Sequence, residues 1–232
     1  MKEDYFDTID NPNKAYWLGF IWCDGYVWMR ERKNSKEYGM KIDLSIVDID
    51  HLFKLNKEID NKTNIKQYES YKSSFGNNKV CRLSTYNKHL VQTLLEKYGI
   101  VPHRNDCNKI INNIPSKYYK DFIRGLLDGD GSFCKFKIMT EKYEKYKVFF
   151  GGTEDLLLFI EQYLYDNDII KTKGRKTSKR HKDGDGDFKG LEFCGRKQAL
   201  RILSFLYDNA DMYLNRKYNK YLSMKEGGVC VN

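Results

Sequence analysis

The sequence lacks the marks of several common protein classes. Its six cysteines contain no C-x-x-C pair, and its four histidines are scattered along 232 residues. This pattern excludes a zinc finger and an HNH-type nuclease site, since both need closely spaced ligands. We therefore expect the cysteines, at 23, 81, 107, 134, 194 and 230, to be reduced, buried thiols.

Long apolar runs are also missing. The longest stretch, residues 15–23, is much shorter than the roughly 20 residues that a helix needs to cross a bilayer. The first ten residues are acidic and polar, without the basic start and apolar core of a signal peptide. We expect a soluble, intracellular protein of the cytoplasm or an organelle matrix that is not secreted.

Positive charge is abundant. Lysine and arginine number 41 against 32 acidic residues, which gives a formal charge of +9, and 18 tyrosines accompany them. Such a balance favours a polyanionic partner, and nucleic acid is the leading one. The apolar content of 41% is enough for a folded core.

One segment occurs twice in related form. Residues 16–26 read YWLGFIWCDGY and residues 122–132 read FIRGLLDGDGS. Each is an apolar helical stretch that ends in Asp-Gly, and each is preceded by a proline, Pro12 or Pro115, of the kind that starts helices. The repeat indicates two similar halves within one chain.

Hydrophobic periodicity predicts the same order of elements after each segment. The first half gives strands at 26–30, 40–47, 65–70 and 79–86, with helices at 50–59 and 88–98. The second half gives strands at 132–138, 145–150, 169–177 and 188–194, with helices at 154–165 and 196–207. The prediction is an α+β protein of two αββαββα halves, residues 1–106 and 116–232, joined by a linker at 107–115.

The repeated helices are predicted to pack on each other. Residues 16–23 are apolar on every side, which requires burial all round. Gly125 and Gly129 in one helix, and Gly19 and Cys23 in the other, are small residues four apart. Small residues at that spacing let two helix backbones approach closely, here about a pseudo-twofold axis.

The acids at the ends of these helices break two local rules. Asp24 and Asp130 lie where the helix dipole is negative and disfavours a carboxylate. Packing of the two helices also brings the like charges together. A divalent cation relieves both conflicts, and carboxylate oxygens suit Mg²⁺. A metal site of this kind in a basic protein points to hydrolysis of phosphodiester bonds.

These residues resemble the signature of the LAGLIDADG homing endonucleases. Residues 123–131 (IRGLLDGDG) are similar to it throughout, and residues 17–25 (WLGFIWCDG) are looser, with Trp22 where an acid is usual. The resemblance implies a monomer that binds double-stranded DNA without an obligate protein partner. Each half would form a curved antiparallel sheet backed by helices, with the two motif helices at the central interface.

The resemblance also implies the active-site residues. Asp24 and Asp130, with the backbone carbonyls of Cys23 and Gly129, would hold Mg²⁺, for which Mn²⁺ would substitute. Water activated by the metal would cut each DNA strand.

Further residues follow from the same resemblance. The basic helper would be Lys217 in the second half and, less regularly, Arg104 in the first. Asp50 and Glu154, at matching helix starts, would either order water at the site or serve only as helix N-terminal acids.

Basic residues on the strands are candidates for contacts with DNA phosphates and base edges. These candidates are Arg30, Arg32, Lys41, Lys66, Arg82, Lys135, Lys137, Lys147, Lys173, Arg175, Lys176 and Arg180. The last four belong to residues 171–182, a run without acids that we expect to form a hairpin along the DNA.

Two functions are open from the sequence. The first is a site-specific, metal-dependent double-strand DNA endonuclease, freestanding or intron-encoded, with a long target. The alternative is a catalytically silent relative that acts as an intron RNA maturase or a DNA-binding regulator. The halves are unequal, with Trp22 against Asp128 and Arg104 against Lys217, which favours an asymmetric target.

Overall fold

The computed structural model describes residues 1–69, 79–102, 106–137, 144–179 and 188–226. The elements of the first half are α1 (Pro12–Asp24), β1 (Gly25–Arg32), β2 (Ser35–Ser45), α2 (Ile49–Glu58), β3 (Lys66–Glu69), β4 (Lys79–Thr85) and α3 (Lys88–Glu96). A short helix α4 (Asn108–Asn112) follows. The second half comprises α5 (Tyr119–Gly129), β5 (Ser132–Phe136), β6 (Lys145–Gly152), α6 (Glu154–Asp166), β7 (Arg175–Lys179), β8 (Phe188–Cys194), α7 (Arg196–Tyr207) and α8 (Asn215–Lys225).

The two halves repeat one sheet topology. Each contains a four-stranded antiparallel sheet, in the order β1-β2-β4-β3 and β5-β6-β8-β7. The predicted α+β class and the αββαββα order in both halves are confirmed. The additions are α4, which lies inside the predicted linker at 107–115, and α8.

One predicted strand begins too early. The prediction placed it at 169–177, whereas β7 begins at Arg175. Ile169 and Ile170 instead close the end of α6, where both backbone N–H groups donate to the Leu164 carbonyl. Ile170 is buried in that turn, so its apolar side chain anchors a helix end and does not start a strand.

Each sheet has one covered face and one open face. On the first sheet, Val27, Met40, Ile42 and Leu83 are completely buried beneath the helices. Alternate residues along the same strands point to the other face, where Arg30 is exposed. We call this open side the outer face of the sheet.

Helices α1 and α5 cross at a contact made by glycine. A methyl group at Gly19 would lie 2.2 Å from the Phe122 carbonyl oxygen, and one at Gly125 would lie 2.1 Å from the Tyr16 carbonyl oxygen. In both cases the glycine meets the residue three positions before its counterpart, so the contact is reciprocal. The predicted packing of the two helices is confirmed.

The start and the burial of α1 follow from its sequence. The Asn11 side chain accepts a hydrogen bond from the Lys14 backbone N–H at 3.0 Å, and Pro12 is the first helical residue. Every residue from Ala15 to Trp22 is buried, which confirms the predicted burial on all sides.

The cysteines are free thiols at the five described positions, but not all are buried. Cys81 and Cys107 are buried, and Cys23 and Cys134 are half-buried. Cys194 is exposed, so its predicted burial is wrong. It lies opposite Lys147 on the outer face of the second sheet, where strand alternation turns it away from the core.

Among the described residues, every helix is too short or too polar to span a bilayer.

The glycine contact can be tested with Gly125→Ala. Alanine raises intrinsic helix propensity by about 1 kcal/mol relative to glycine, yet the new methyl group would clash with the Tyr16 carbonyl. We expect the free energy of unfolding to fall by about 1–3 kcal/mol, the usual effect of overpacking. Denaturant unfolding measures this change. Asn219→Ala, at an exposed position of α8, is the control and should leave stability equal or slightly higher; a stabilised Gly125→Ala variant would contradict the contact.

Candidate active site

Asp24 and Asp130 lie at the paired ends of α1 and α5. Asp24 is the last residue of α1, and Asp130 is the C-cap of α5. A methyl group at Gly129 would lie 2.4 Å from Cys23 Cβ and 3.4 Å from an Asp24 carboxylate oxygen. The Asp24 carboxylate therefore lies beside the residue that precedes Asp130. The ends of α1 and α5 therefore meet, as the repeat predicted.

The oxygen atoms at this junction are the kind that hard divalent cations prefer. The Asp130 carboxylate is exposed and forms no hydrogen bond or ion pair with any residue that the structure describes. Over the same part of the chain, no group of three or more His, Cys, Asp or Glu side chains is arranged to hold a metal. A site here would consist of two carboxylates supplemented by backbone carbonyls.

Lys217 is bound to the end of α5. It lies in the first turn of α8 and is only 7% exposed. Its ammonium group donates to the carbonyls of Leu127 at 2.6 Å, Asp128 at 2.7 Å and Gly131 at 2.7 Å, and more weakly to that of Gly129 at 3.3 Å. The last carbonyls of a helix carry partial negative charge. Lys217 therefore supplies the cation that this helix end requires.

The pKa of Lys217 reflects its burial. Loss of solvent lowers it, and the Asp128 carboxylate, with a smaller contribution from Asp24, opposes the lowering. The structure thus places Lys217 near Asp128 and Asp24, and its role as the basic helper remains a prediction. Arg104, the expected counterpart in the first half, lies outside the described residues.

Asp128 is the centre of a buried hydrogen-bond network. Its carboxylate, 2% exposed, accepts from Tyr16 Oη at 2.8 Å, from Tyr207 Oη at 2.6 Å and from the Leu214 backbone N–H at 2.8 Å. Burial raises its pKa, while Lys217 and these donors lower it. The network joins α1 of the first half to α5 and α7 of the second.

His51 extends this network into α2. Its Nε2 lies 3.0 Å from Tyr16 Oη. Because the Tyr16 proton is donated to Asp128, the Tyr16 oxygen accepts from His51, which fixes the Nε2–H tautomer. The opposite ring nitrogen is buried without a hydrogen-bond partner in the described chain. Burial, reinforced by Lys54 and Lys217, lowers the pKa of His51 to about 3, so the ring is neutral.

The equivalent position in the first half carries no acid. Trp22 corresponds to Asp128 in the repeat and is 5% exposed. The two halves therefore differ in a buried side chain: the first has an indole ring where the second has a carboxylate that accepts three hydrogen bonds. The two helices therefore differ at the residue two positions before each aspartate.

The segment that carries Lys217 is held by the first half. Arg216 pairs with Asp48 at 3.1 Å, where Asp48 is 8% exposed. The Lys54 ammonium donates to the Tyr213 carbonyl at 3.0 Å and to Asn215 Oδ1 at 2.7 Å. Sequence reasoning missed these contacts because they join positions about 160 residues apart. Helical spacing of the buried residues Lys217, Tyr221 and Met224 was the available signal for α8.

Asp50 and Glu154 occupy matching first turns, in α2 and α6. Asp50 is exposed. Glu154 forms an ion pair with Lys189 of β8, which lowers the pKa of its carboxyl. The role of either residue in ordering water at the site remains a prediction.

All five basic candidates on the first sheet share its outer face. They are Arg30, Arg32, Lys41, Lys66 and Arg82. Arg30 lies opposite Glu37, and Arg82 lies opposite both Asp43 and Lys66. Arg82 binds both carboxylate oxygens of Asp43, at 2.5 and 2.6 Å, and also donates to the Tyr68 hydroxyl. This face is a basic surface whose side chains are partly held in place before any ligand binds.

The second sheet divides its candidates between two faces. Lys147 and Arg175 lie on the outer face, where Lys147 pairs with Glu192 at 3.0 Å. Lys135 pairs in register with the buried Tyr146, and Lys176 with the buried Leu191, so both lie on the face that the helices cover. This register argues against DNA contacts by Lys135 and Lys176.

The remaining candidates lie beyond the strands. Lys137 follows β5 and Lys173 precedes β7, and both are exposed. Arg180 lies outside the described residues. Strand β7, at the edge of the second sheet, contains residues 175–179 of the hairpin predicted at 171–182.

Solved structures share this fold across nearly the whole chain. The LAGLIDADG homing endonuclease I-GzeII in complex with its DNA target aligns with a TM-score of 0.59 and 12% identity, over 93% of this chain and 89% of that one. I-LtrWI, a LAGLIDADG homing endonuclease bound to target DNA, gives 0.59 and 11%, over 93% and 90%. I-SmaMI, bound to uncleaved DNA in the presence of calcium ions, gives 0.59 and 13%, over 93% and 90%.

At these identities the likeness establishes a common fold. Neither a protein-family model nor a curated protein matches the sequence.

The contacts of Lys217 predict a large effect of Lys217→Met. Methionine fills much of the same volume but leaves the carbonyls at the end of α5 without their buried donor. We expect the free energy of unfolding to fall by about 1–3 kcal/mol, as measured by denaturant unfolding. Lys220→Met, an exposed change in the same helix, should stay within about 0.5 kcal/mol of the parent. Equal effects of the two substitutions would contradict the capping role.

The neutral state of His51 predicts a dependence of stability on pH. The folded pKa, about 3, lies below the ordinary value of 6.5. Below pH 6.5 the unfolded chain therefore binds a proton that the folded protein does not, and stability falls with pH. At about pH 5 the loss from this group amounts to about 2 kcal/mol.

His51→Gln retains a donor for Tyr16 without the titration. Denaturant unfolding at about pH 7 and about pH 5 should show a smaller loss of stability in this variant than in the parent. An identical pH dependence of the two proteins would mean that His51 is not the neutral buried group described.

Proposed function

We propose that this protein, which has the fold of the LAGLIDADG homing endonucleases, is a site-specific endonuclease that cuts both strands of DNA with the help of a divalent metal ion. The main support is the meeting of Asp24 and Asp130 at the contact between two helices whose sequences repeat the family signature. A basic outer face on each half adds the surface that a DNA substrate requires.

The residues at the helix ends fit a hard divalent cation. Asp24 and Asp130 would hold it together with the carbonyl oxygens of Cys23 and Gly129, and Mg²⁺ suits such ligands, with Mn²⁺ as a substitute. When bound, the ion would supply activation of water and charge stabilisation at the phosphodiester. The longest hydrogen bond of Lys217, at 3.3 Å, is the one to Gly129, whose carbonyl therefore keeps oxygen lone pairs for a metal.

The surrounding residues position this site. Lys217 fixes the backbone at 127–131, from which the Asp130 side chain extends. Its buried positive charge would add electrostatic stabilisation for a phosphate bound at this end of α5. Asp48 and Lys54 of the first half hold the Lys217 segment from two sides. In the first half Arg104 is proposed for the corresponding role.

The outer faces are proposed as the DNA-binding surface. Arg30, Arg32, Lys41, Lys66 and Arg82 on the first sheet, with Lys147 and Arg175 on the second, would contact phosphates and base edges in the major groove. Because the two faces carry different side chains, the target should be asymmetric. A monomer would suffice, since one chain provides both halves, and a DNA substrate fits an intracellular location.

The test is cleavage by purified protein with Mg²⁺ and a library of long duplex targets. We expect double-strand cuts at a specific site. Asp24→Asn and Asp130→Asn should each reduce cleavage at least a hundredfold, because each removes a charge at the metal site while leaving the DNA-binding faces intact. Asp166→Asn, which lies in α6 and keeps an oxygen for Gln162, is the matched control and should cleave normally.

Other outcomes would point elsewhere. Specific binding with no cleavage of any target would indicate a catalytically silent relative, either an RNA maturase or a DNA-binding regulator. Cleavage that survives both aspartate substitutions would contradict the proposed site.

A further inference from the structure

An aromatic cluster lies on the outer face of the first sheet. We define it as Tyr26, Trp28 and Tyr86. The ring centres of Tyr26 and Trp28 are 5.4 Å apart, and those of Trp28 and Tyr86 are 6.3 Å apart. Tyr26 is 39% and Tyr86 63% exposed. Exposed aromatic side chains in contact with one another are typical of a binding surface.

The strand register keeps the central ring in place. Trp28 lies opposite Gly39, and a methyl group at Gly39 would lie 2.2 Å from the indole ring. The ring therefore rests against the backbone of β2, in space that any other residue would fill. Gly39 therefore allows the Trp28 ring to pack directly on the backbone of β2.

Cations border the cluster. The Arg30 guanidinium lies 5.7 Å from the centre of the Trp28 ring, and the Lys41 ammonium lies 5.1 Å from that of Tyr26. Such cations are held by the ring electrons and can also reach phosphates. An apolar surface bordered by positive charge suits a ligand that has apolar groups between anionic ones. Duplex DNA is such a ligand, since its bases lie between two phosphate backbones.

The cluster lies close to the proposed cleavage site. Tyr26 and Trp28 follow Asp24 by two and four residues, which corresponds to about 7 and 13 Å along a strand. At about 3.4 Å per base pair, this range spans about two to four base pairs from the cut.

The second half also has aromatic side chains on its outer face, Phe136 and Phe149, but none at the positions of Tyr26 and Trp28. Ser132 and Cys134 take the places of Tyr26 and Trp28, counted from the repeated Asp-Gly. Their partners across the sheet are Phe149 and Lys147, where the first half has Lys41 and Gly39. The two halves therefore offer unlike surfaces to the DNA on either side of the cut.

We propose that the aromatic cluster determines part of the target specificity by recognising thymine 5-methyl groups in the major groove, in the half-site bound by the first half. Thymine is the only DNA base that presents a methyl group in that groove, and apolar side chains contact it there. This inference rests on the proposed function, because it requires binding of duplex DNA on the outer faces.

The test replaces single thymines by deoxyuridine, which removes the methyl group and keeps the base pair. A preferred duplex is first selected from a target library. Its affinity for the full chain is then measured by fluorescence anisotropy, with deoxyuridine placed within about four base pairs of the cut on either side. We expect each contacted methyl on the first-half side to contribute a three- to fivefold loss of affinity, the effect of burying one methyl group.

The matched variant is Tyr26→Ser with Trp28→Cys, which gives the first half the residues of the second. It should bind thymine and deoxyuridine duplexes equally. Tyr86→Ser, a change at an exposed position, should reduce the discrimination without affecting folding. Deoxyuridine on the second-half side should change the affinity of the parent and of both variants by the same factor, because their substitutions lie on the first sheet.

Three results would overturn the inference. These are a preferred target without thymine near the cut on the first-half side, a parent protein that binds both duplexes equally, or a double variant that still discriminates. If cleavage is still site-specific, these results reject the inference about the aromatic cluster but not the proposed endonuclease function. A protein that binds no duplex at all rejects the proposed function and the inference together.

Discussion

The contact between α1 and α5 sets the geometry of everything around it. Gly19 and Gly125 each face a backbone carbonyl of the other helix, at distances that leave no room for a side chain. Close approach of two helix backbones brings their ends together as well as their middles. Because both helices run into Asp-Gly, the same contact that joins the halves also joins the two acids.

This arrangement creates an electrostatic problem that the second half resolves in part with its own residues. Two helix ends, each partly negative, lie side by side with a carboxylate on each. Lys217 neutralises the end of α5 by binding its carbonyls.

The sequence predicted the repeat, the order of helices and strands along the chain and the pairing of the two motif helices, because these depend on local patterns such as apolar helices, alternating strands and small residues four apart. It did not predict helix α8, the contacts that Asp48 and Lys54 make with the segment carrying Lys217, or the Asp128 network. Those features depend on partners far apart in sequence. The early start of the third strand in the second half had another cause, since Ile169 and Ile170 are apolar residues of a turn.

The assignment of basic residues to the two faces of each sheet also depends on strand pairing that composition does not reveal. Register alone sorts the basic residues of the first sheet, and all five lie on the outer face. In the second sheet it places Lys135 and Lys176 on the face toward the helices, a distinction that composition cannot make. The number of lysines in the strands shows that the sheet is basic but not which face carries the charge. The pairing of Lys135 with the buried Tyr146 assigns Lys135 to the covered face.

Duplication explains how such different halves can coexist. The backbone repeat is kept by the glycine contact and by the covered faces of the sheets, where substitutions disturb packing. The outer faces are free of that constraint, so Tyr26, Trp28 and Gly39 on one side can differ completely from Ser132, Cys134 and Lys147 on the other. A repeated backbone with unlike outer faces suits the proposed binding of a DNA site whose two halves differ, and the difference between Trp22 and Asp128 extends that asymmetry to the contact between the halves.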